Sequence, residues 1–288
     1  MYLESDNSHF YTTAVGTKLH YIQLGNAEGP LVICLHGLGG SADAFVPLLP
    51  YIPRIYNIVL LDFQGFGKSP LNTSSNTISI GYYVADLDDL IKALQRPSNA
   101  TQSREIVIVG QSLGAIIALQ YAAQHPVEVK GLALIGVGRS AAHIPAVRQR
   151  MLDLASSVRA EGIVYAANVA AKSNFYDDVN ERTADPKARD AVREAVLRAD
   201  AEAYARVCEA LVDPEHRDPL YGLIKSPAVF IAGDKDMISP LERSKELSAL
   251  MGGRSWVEMT KSGHQPILED LAGVKKAIES LLYCVSEG

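Results

Sequence analysis

The chain has 288 residues, 48% hydrophobic and 21% charged, with a net charge of −6 and a pI of about 5.7. That is ample apolar material for a buried core, and the acidic balance argues against nucleic-acid binding, since phosphate contacts need a basic surface. No apolar run reaches the roughly 18 residues of a membrane-spanning helix, and three scattered cysteines, Cys34, Cys208 and Cys284, make neither a disulfide framework nor a zinc site.

The N-terminal stretch 1–10 is polar and lacks the apolar run of a secretory signal, so a cytoplasmic, reducing setting is expected. The glycosylation patterns at Asn72 and Asn99 carry no meaning there. Residues 18–24 (KLHYIQL) alternate like a half-buried strand. The runs 31–35 (LVICL), 58–61 (IVLL), 106–109 (IVIV), 132–135 (LALI) and 228–232 (AVFIA) are continuous and apolar, as in parallel strands buried on both faces. Helical patterns separate them. Residues 80–94 repeat apolar side chains at Ile80, Val84, Leu87, Ile91 and Leu94, with Asp86, Asp88 and Asp89 partly on other faces. Residues 113–123 are almost wholly apolar and predict a buried helix. The alternation gives an α/β fold with helices on both faces of a mostly parallel sheet.

Between residues 139 and 221 the buried-strand runs vanish. Segments 145–162, 163–172, 186–199 and 200–212 predict four amphipathic helices. The stretch carries 12 Lys and Arg against 14 Asp and Glu, net −2. The strand rhythm resumes at 228, continues in the strand-like run 256–259, and a final helix follows. The expected organisation is a core of 1–138 and 222–288 with a helical cap inserted at 139–221.

Gly110-Gln111-Ser112-Leu113-Gly114 joins a buried strand to a helix. This G-x-S-x-G turn lifts a serine hydroxyl off the sheet edge, and its neighbours must be small because the chain doubles back on itself. The helix start places the Leu113 amide where negative charge would develop. His36-Gly37-Leu38-Gly39-Gly40 follows the run 31–35, and the Leu38 amide is the candidate second oxyanion donor. His36 precedes that loop and reads as a structural hydrogen-bonding residue. Residues 62–69 (DFQGFGKS) fail the P-loop spacing, because position 62 is Asp, and read as a tight loop beside the site. Gly233-Asp234-Lys235-Asp236 ends the run 228–232, and Ser262-Gly263-His264 follows the run 256–259. The order Ser112, Asp236, His264 is the Ser…Asp…His order of one fold.

These motifs resemble the α/β-hydrolase superfamily over nearly the full chain. The cap segment is similar to the branch of 3-oxoadipate enol-lactonases and small carboxylesterases. That likeness lies in Val196-Leu-Arg-Ala-Asp200, Tyr204, Cys208 and Leu211, then Asp218 and Ile224-Lys-Ser-Pro227. Ala115 departs from it, standing where many members carry Gly. Epoxide hydrolases and haloalkane dehalogenases carry Asp at the nucleophile position, here Ser112. Carbon–carbon bond hydrolases usually carry Trp after the base, here Gln265.

The expected activity is cofactor-free and metal-free hydrolysis of a small or medium ester or lactone. Ser112 is the nucleophile, His264 the base, Asp236 the orienting acid, and Leu38 and Leu113 supply the oxyanion amides. Gly37, Gln111, Met151, Tyr204 and Gln265 are the candidate substrate contacts. No nucleic acid or membrane partner is expected, and the chain is read as a monomer or homodimer. Two other classes remain open: a different reaction at the same triad (carbon–carbon hydrolysis, acyl transfer, perhydrolysis), and a non-turnover receptor on the same scaffold.

Overall fold

A strand buried on both faces needs an apolar side chain at every position, and the central runs of this sequence supply one. The computed structural model describes residues 7–72, 78–95, 105–176 and 182–287; Asn99 and residues 1–6 lie outside them. The strands are β1 Ser8–Thr12, β2 Lys18–Gly25, β3 Leu31–Leu35, β4 Asn57–Leu61, β5 Ile106–Gln111, β6 Val129–Ile135, β7 Ala228–Gly233 and β8 Ser255–Thr260. They form one sheet in the order β1-β2-β4-β3-β5-β6-β7-β8. β2 is antiparallel to β1 and β4, and the remaining neighbours are parallel. The helices are α1 Ile80–Leu94, α2 Leu113–Gln124, α3 Pro145–Glu161, α4 Ile163–Ser173, α5 Pro186–Leu197, α6 Ala201–Leu211, α7 Leu241–Leu250, α8 Pro266–Glu269 and α9 Leu271–Ser286.

Alternate residues of the central strands enter two different cores. Leu31, Ile33, Leu35, Ile106 and Ile108 pack with α1 and α2 on one face. Val32, Cys34, Val107 and Val109 pack with α9 and the 3-10 helix Ala42–Tyr51 on the other. Near-continuous apolar runs are the consequence. α3, α4, α5 and α6 follow one another between β6 and β7, with α3 against α6 and α4, and α4 against α5.

Some elements escaped the sequence pattern. β1 is an edge strand of mixed exposure, too polar to read as one. α7 buries only Ser244 and Leu247, so its apolar period is faint. The 3-10 helix holds Pro47 and Pro50, which break an α-helical reading. Asp86, read as lying partly off the apolar face of its helix, is buried.

The strand order also fixes where a ligand can sit. From β3 the chain moves outward to β4, and from β5 it moves the other way to β6. Loops leaving neighbouring β3 and β5 in opposite directions open a crevice at their carboxyl ends. Leu35 lies opposite Gly110 there, just before the His36 loop and Ser112.

Candidate active site

Ser112 follows β5 and precedes α2 with φ 51° and ψ −110°, the only positive-φ residue other than glycine among the described residues. Such strain persists only where the surroundings enforce it, and two glycines let them do so. A Cβ on Gly110 would lie 2.6 Å from the Gly114 carbonyl oxygen, and one on Gly114 would lie 2.0 Å from that of Leu35. The turn therefore closes only with hydrogen at both places.

His264 Nε2 lies 3.0 Å from Ser112 Oγ, and His264 Nδ1 lies 2.7 Å from Asp236 Oδ2. Asp236 and His264 are both buried. The second carboxylate oxygen, Asp236 Oδ1, accepts the amides of Ile238 and Ser239, each at 2.8 Å. Those bonds fix the carboxylate face and leave Oδ2 to the imidazole. Asp234 turns elsewhere: its Oδ1 accepts from Arg182 at 2.6 Å and from the Ser262 amide at 3.1 Å. The amides of Leu38 and Leu113 donate to no acceptor among the described residues. Gly37 brings the first of these loops close, since a Cβ there would stand 3.3 Å from Ser112 Cβ.

His36 is fully buried, its Nδ1 2.7 Å from the Gly37 carbonyl, and its Nε2 accepts the Phe63 amide at 3.0 Å. Burial lowers its pKa, against the pull of Asp62. An imidazole so committed holds two loops together and has no nitrogen left for a substrate.

A cavity of about 970 Å³ opens over Ser112 and His264. All five candidate substrate contacts, Gly37, Gln111, Met151, Tyr204 and Gln265, line it, as does Leu38. One side comes from the loops after β3, β5, β7 and β8, the other from α3 to α6. Its volume is near the upper end for small-molecule sites, so the limit on substrate size is looser than the sequence reading expects.

Three supports carry no sequence signal of their own. The His264 amide donates to the Asn174 carbonyl at 2.7 Å, tying the base loop to the end of α4. Glu269 Oε2 accepts the Gly263 amide at 2.9 Å, and burial raises the pKa of its carboxyl. Gly136, at φ 55°, leaves room for the imidazole, because a Cβ there would lie 3.1 Å from His264 Nδ1.

A second Ser–His–Asp chain exists in the molecule. Ser8 Oγ lies 2.8 Å from His20 Nε2, and His20 Nδ1 lies 2.7 Å from Asp62 Oδ2. Asp62 also accepts the Ala42 amide at 2.6 Å and the Lys68 amide at 2.9 Å. Burial pushes the Asp62 carboxyl up, but these bonds and the nearby imidazoles outweigh it and hold its pKa below the ordinary value. Gly67, at φ 55°, leaves room for the same carboxylate, since a Cβ there would lie 2.2 Å from Asp62 Cγ, and the loop 62–69 can stay tight. Ser8 sits on an edge strand without a positive φ, and the chain runs on from it as strand instead of turning into a helix. Hydrogen-bonded triples alone do not make a nucleophile, and this one staples β1, β2 and a loop.

Among the described residues no group of three or more His, Cys, Asp or Glu is placed to hold a metal ion. No helix among them is long and apolar enough to cross a membrane.

A mostly parallel sheet with a serine elbow after its fifth strand and an imidazole loop after its last defines an α/β hydrolase fold. The chain belongs to the alpha/beta hydrolase fold family, which matches residues 30–271. It is 29% identical to Lipase 1 of Psychrobacter immobilis over 284 residues, spanning 94% of this chain and 83% of that one. A thermophilic esterase from Thermogutta terrifontis superposes with a TM-score of 0.81 at 21% identity, covering 96% of this chain and 98% of that one. The enol-lactonase from Burkholderia xenovorans LB400 gives a TM-score of 0.78 at 21% identity, covering 96% of this chain and all, 100%, of that one. These two likenesses establish the shared fold.

Proposed function

We propose that the chain is a serine hydrolase cleaving a carboxylic ester or lactone through an acyl-Ser112 intermediate. The observation that carries this reading is the continuous chain Ser112 Oγ–His264–Asp236 at 3.0 and 2.7 Å, ending on a strained turn beside two amides that have no acceptor among the described residues. His264 Nε2 takes the Ser112 proton as Oγ attacks the carbonyl carbon. Asp236 holds the imidazole in the tautomer that accepts there and stabilises the imidazolium that forms. The Leu38 and Leu113 amides bind the tetrahedral oxyanion. His264 returns its proton to the leaving alcohol oxygen, then activates the water that frees the acid.

Residues 139–221 act in this reading as a cap that shapes the pocket and supplies none of the reacting groups. Met151 and Tyr204 belong to its cavity wall. The names borne by relatives, a lipase among the sequences and an esterase and an enol-lactonase among the structures, point to the same reaction class. Gln265 after the base favours ester cleavage over carbon–carbon hydrolysis.

The test is a panel of soluble aryl esters and lactones assayed with wild type and Ser112→Ala in parallel. Loss of the nucleophile should lower turnover by about 10⁴ to 10⁶ with the fold intact. Substantial turnover by a folded Ser112→Ala protein overturns the reading, and no turnover by wild type on any member leaves the receptor reading standing in its place.

A further inference from the structure

The residue before Ser112 and the residue after His264 are both glutamines, and they touch. Gln111 Nε2 donates to Gln265 Oε1 at 2.9 Å, across 154 residues of chain. Their backbones are fixed independently. Gln111 ends β5 in register with Ile135 of β6. The Gln265 carbonyl accepts the amides of Leu268 and Glu269 at 3.0 and 3.1 Å, at the start of α8. Both side chains line the cavity over Ser112.

A count of hydrogen-bonding capacity shows what is left over. Each carboxamide has one acceptor oxygen and one two-proton donor nitrogen. The mutual bond uses one proton of Gln111 and one lone pair of Gln265. Gln111 Oε1 and Gln265 Nε2 have no further protein partner among the described residues. Rotating both carboxamides by half a turn exchanges the two side chains' roles and again leaves one oxygen and one NH₂ unused. The rest of the wall is mostly apolar in area, with Leu38, Met151, Leu154, Val169, Val192 and Val196, while Arg150, Asp153, Glu194 and Arg198 add charge to it. A plain alkyl ester docked there would bury the spare donor and acceptor against carbon, which is costly.

We infer that Gln111 and Gln265 form a polar subsite for a hydroxyl on a carbon close to the scissile ester group, which makes the substrate a hydroxy-substituted ester or lactone with an apolar remainder. One hydroxyl oxygen accepts from the free NH₂ and donates its proton to the free carbonyl oxygen, satisfying both side chains with a single atom. Gln111 adjoins Ser112 and Gln265 adjoins His264, so that atom sits beside the reacting carbonyl. The assignment rests on the esterase reading above and names the substrate class of the same site.

Two ester pairs test it: a phenyl hexanoate against the 2-hydroxyhexanoate with the same leaving group, and an ethyl ester against its 2-hydroxyethyl counterpart. The reading is the hydroxy-to-parent ratio of kcat/KM, divided by the same ratio for hydroxide-catalysed hydrolysis. That quotient cancels intrinsic reactivity and any activity loss common to both esters. In wild type one of the two pairs should give a quotient of about tenfold or more, carried mainly by KM. Gln265→Leu should bring it near one, as should Gln111→Leu. The half-buried Gln265 side chain makes its variant the safer for folding, checked by thermal unfolding and by phosphonate labelling of Ser112. A quotient near one for both pairs in wild type overturns the subsite while leaving ester hydrolysis in place. So does a high quotient that survives both substitutions. Absence of Ser112-dependent turnover on every ester sinks the underlying reading instead.

Discussion

Two carboxylates two positions apart leave the end of β7 toward different partners, and this separates their expected roles. Asp236 Oδ2 meets His264 Nδ1 at 2.7 Å, whereas Asp234 meets Arg182 and the Ser262 amide. Asp236→Asn keeps the shape but offers an amide where the imidazole N–H needs an acceptor, favouring the wrong tautomer. Turnover should fall about 10⁴-fold, the scale known for that change in a serine triad. Asp234→Asn removes an ion pair and weakens one loop bond, and turnover should stay within about tenfold. Steady-state rates on one soluble ester decide between them, and a larger loss from Asp234→Asn would put the acid at the wrong carboxylate. Ser112 and Ser8, the two serines at an imidazole nitrogen among the described residues, make a second comparison. Oxyanion stabilisation, not histidine contact alone, sets reactivity toward a phosphonate. Labelling followed by peptide mass analysis should therefore modify Ser112 and leave Ser8 untouched, in wild type and in Ser8→Ala alike.

At the scale of elements, the elbow depends on contacts between β3, β5 and α2 that leave no room for a methyl group. Gly114→Ala would press a Cβ to 2.0 Å from the Leu35 carbonyl oxygen and 2.8 Å from that of His36, both backbone. Urea unfolding should show a loss of about 1–3 kcal/mol or more, while Gly222→Ala, with nothing within 4 Å of its Cβ, should be close to neutral. The spacing of this turn was legible in the sequence because chemistry restricts each of its positions. The central strands were legible because burial on both faces leaves one kind of residue. β1 and α7 were not, since an edge strand and a helix lying half in water carry mixed side chains. Asp86 shows the same gap from the inside. α1 turns it toward Thr13 and Thr17 of the β1–β2 hairpin, where Asp89 of the same helix accepts the Ala14 amide at 2.6 Å. Burial pushes the Asp86 carboxyl up to about 6, the two threonines pull back, and neither carboxylate oxygen has a well-formed hydrogen bond among the described residues. An acid with a raised folded pKa binds its proton more tightly in the folded state than in the unfolded one. Its contribution therefore worsens as pH rises from about 4 to about 6 and stays at its worst above that. Asp86→Asn should raise stability by about 1–3 kcal/mol at pH 8 and by little at pH 4. Thermal unfolding across that range checks the sign, and a variant less stable than wild type at pH 8 would show the ionised carboxylate to be a net stabiliser.

On the scale of the whole molecule, the cavity lies between α3–α6 and the loops that follow the strands, and the stretch that carries α3–α6 starts and ends at neighbouring points. The chain leaves β6 through Arg139 and Ser140 and returns through His216 and Asp218. Asp218 binds the Arg139 guanidinium and accepts the Ser140 amide at 2.8 Å, while Ser140 Oγ donates to the His216 carbonyl at 2.5 Å. α3 and α6 are joined on their outer sides by Arg159 with Glu202 and Glu209. Exposed pairs of that kind add little stability, but they make the outside of the segment charged. Large exposed apolar side chains, among them Phe10, Val127, Leu220, Met237 and Tyr283, fall on separate parts of the chain. Scattered single side chains are ordinary for a protein in water. Adsorption to an oil surface needs a contiguous apolar patch, because buried area supplies the driving force. A large apolar area lines the cavity, so dissolved single molecules should be the form consumed. With tributyrin, the initial rate should rise hyperbolically below the solubility limit and show no upward break where emulsion droplets appear. A sharp increase at that limit, together with adsorption of the folded protein to the droplets, would mean that the segment 139–221 opens at an interface and exposes the cavity wall. Equal rates on dissolved and emulsified tributyrin, or saturation before droplets form, fit a site that admits substrate from water through the gap between α3–α6 and the strand loops.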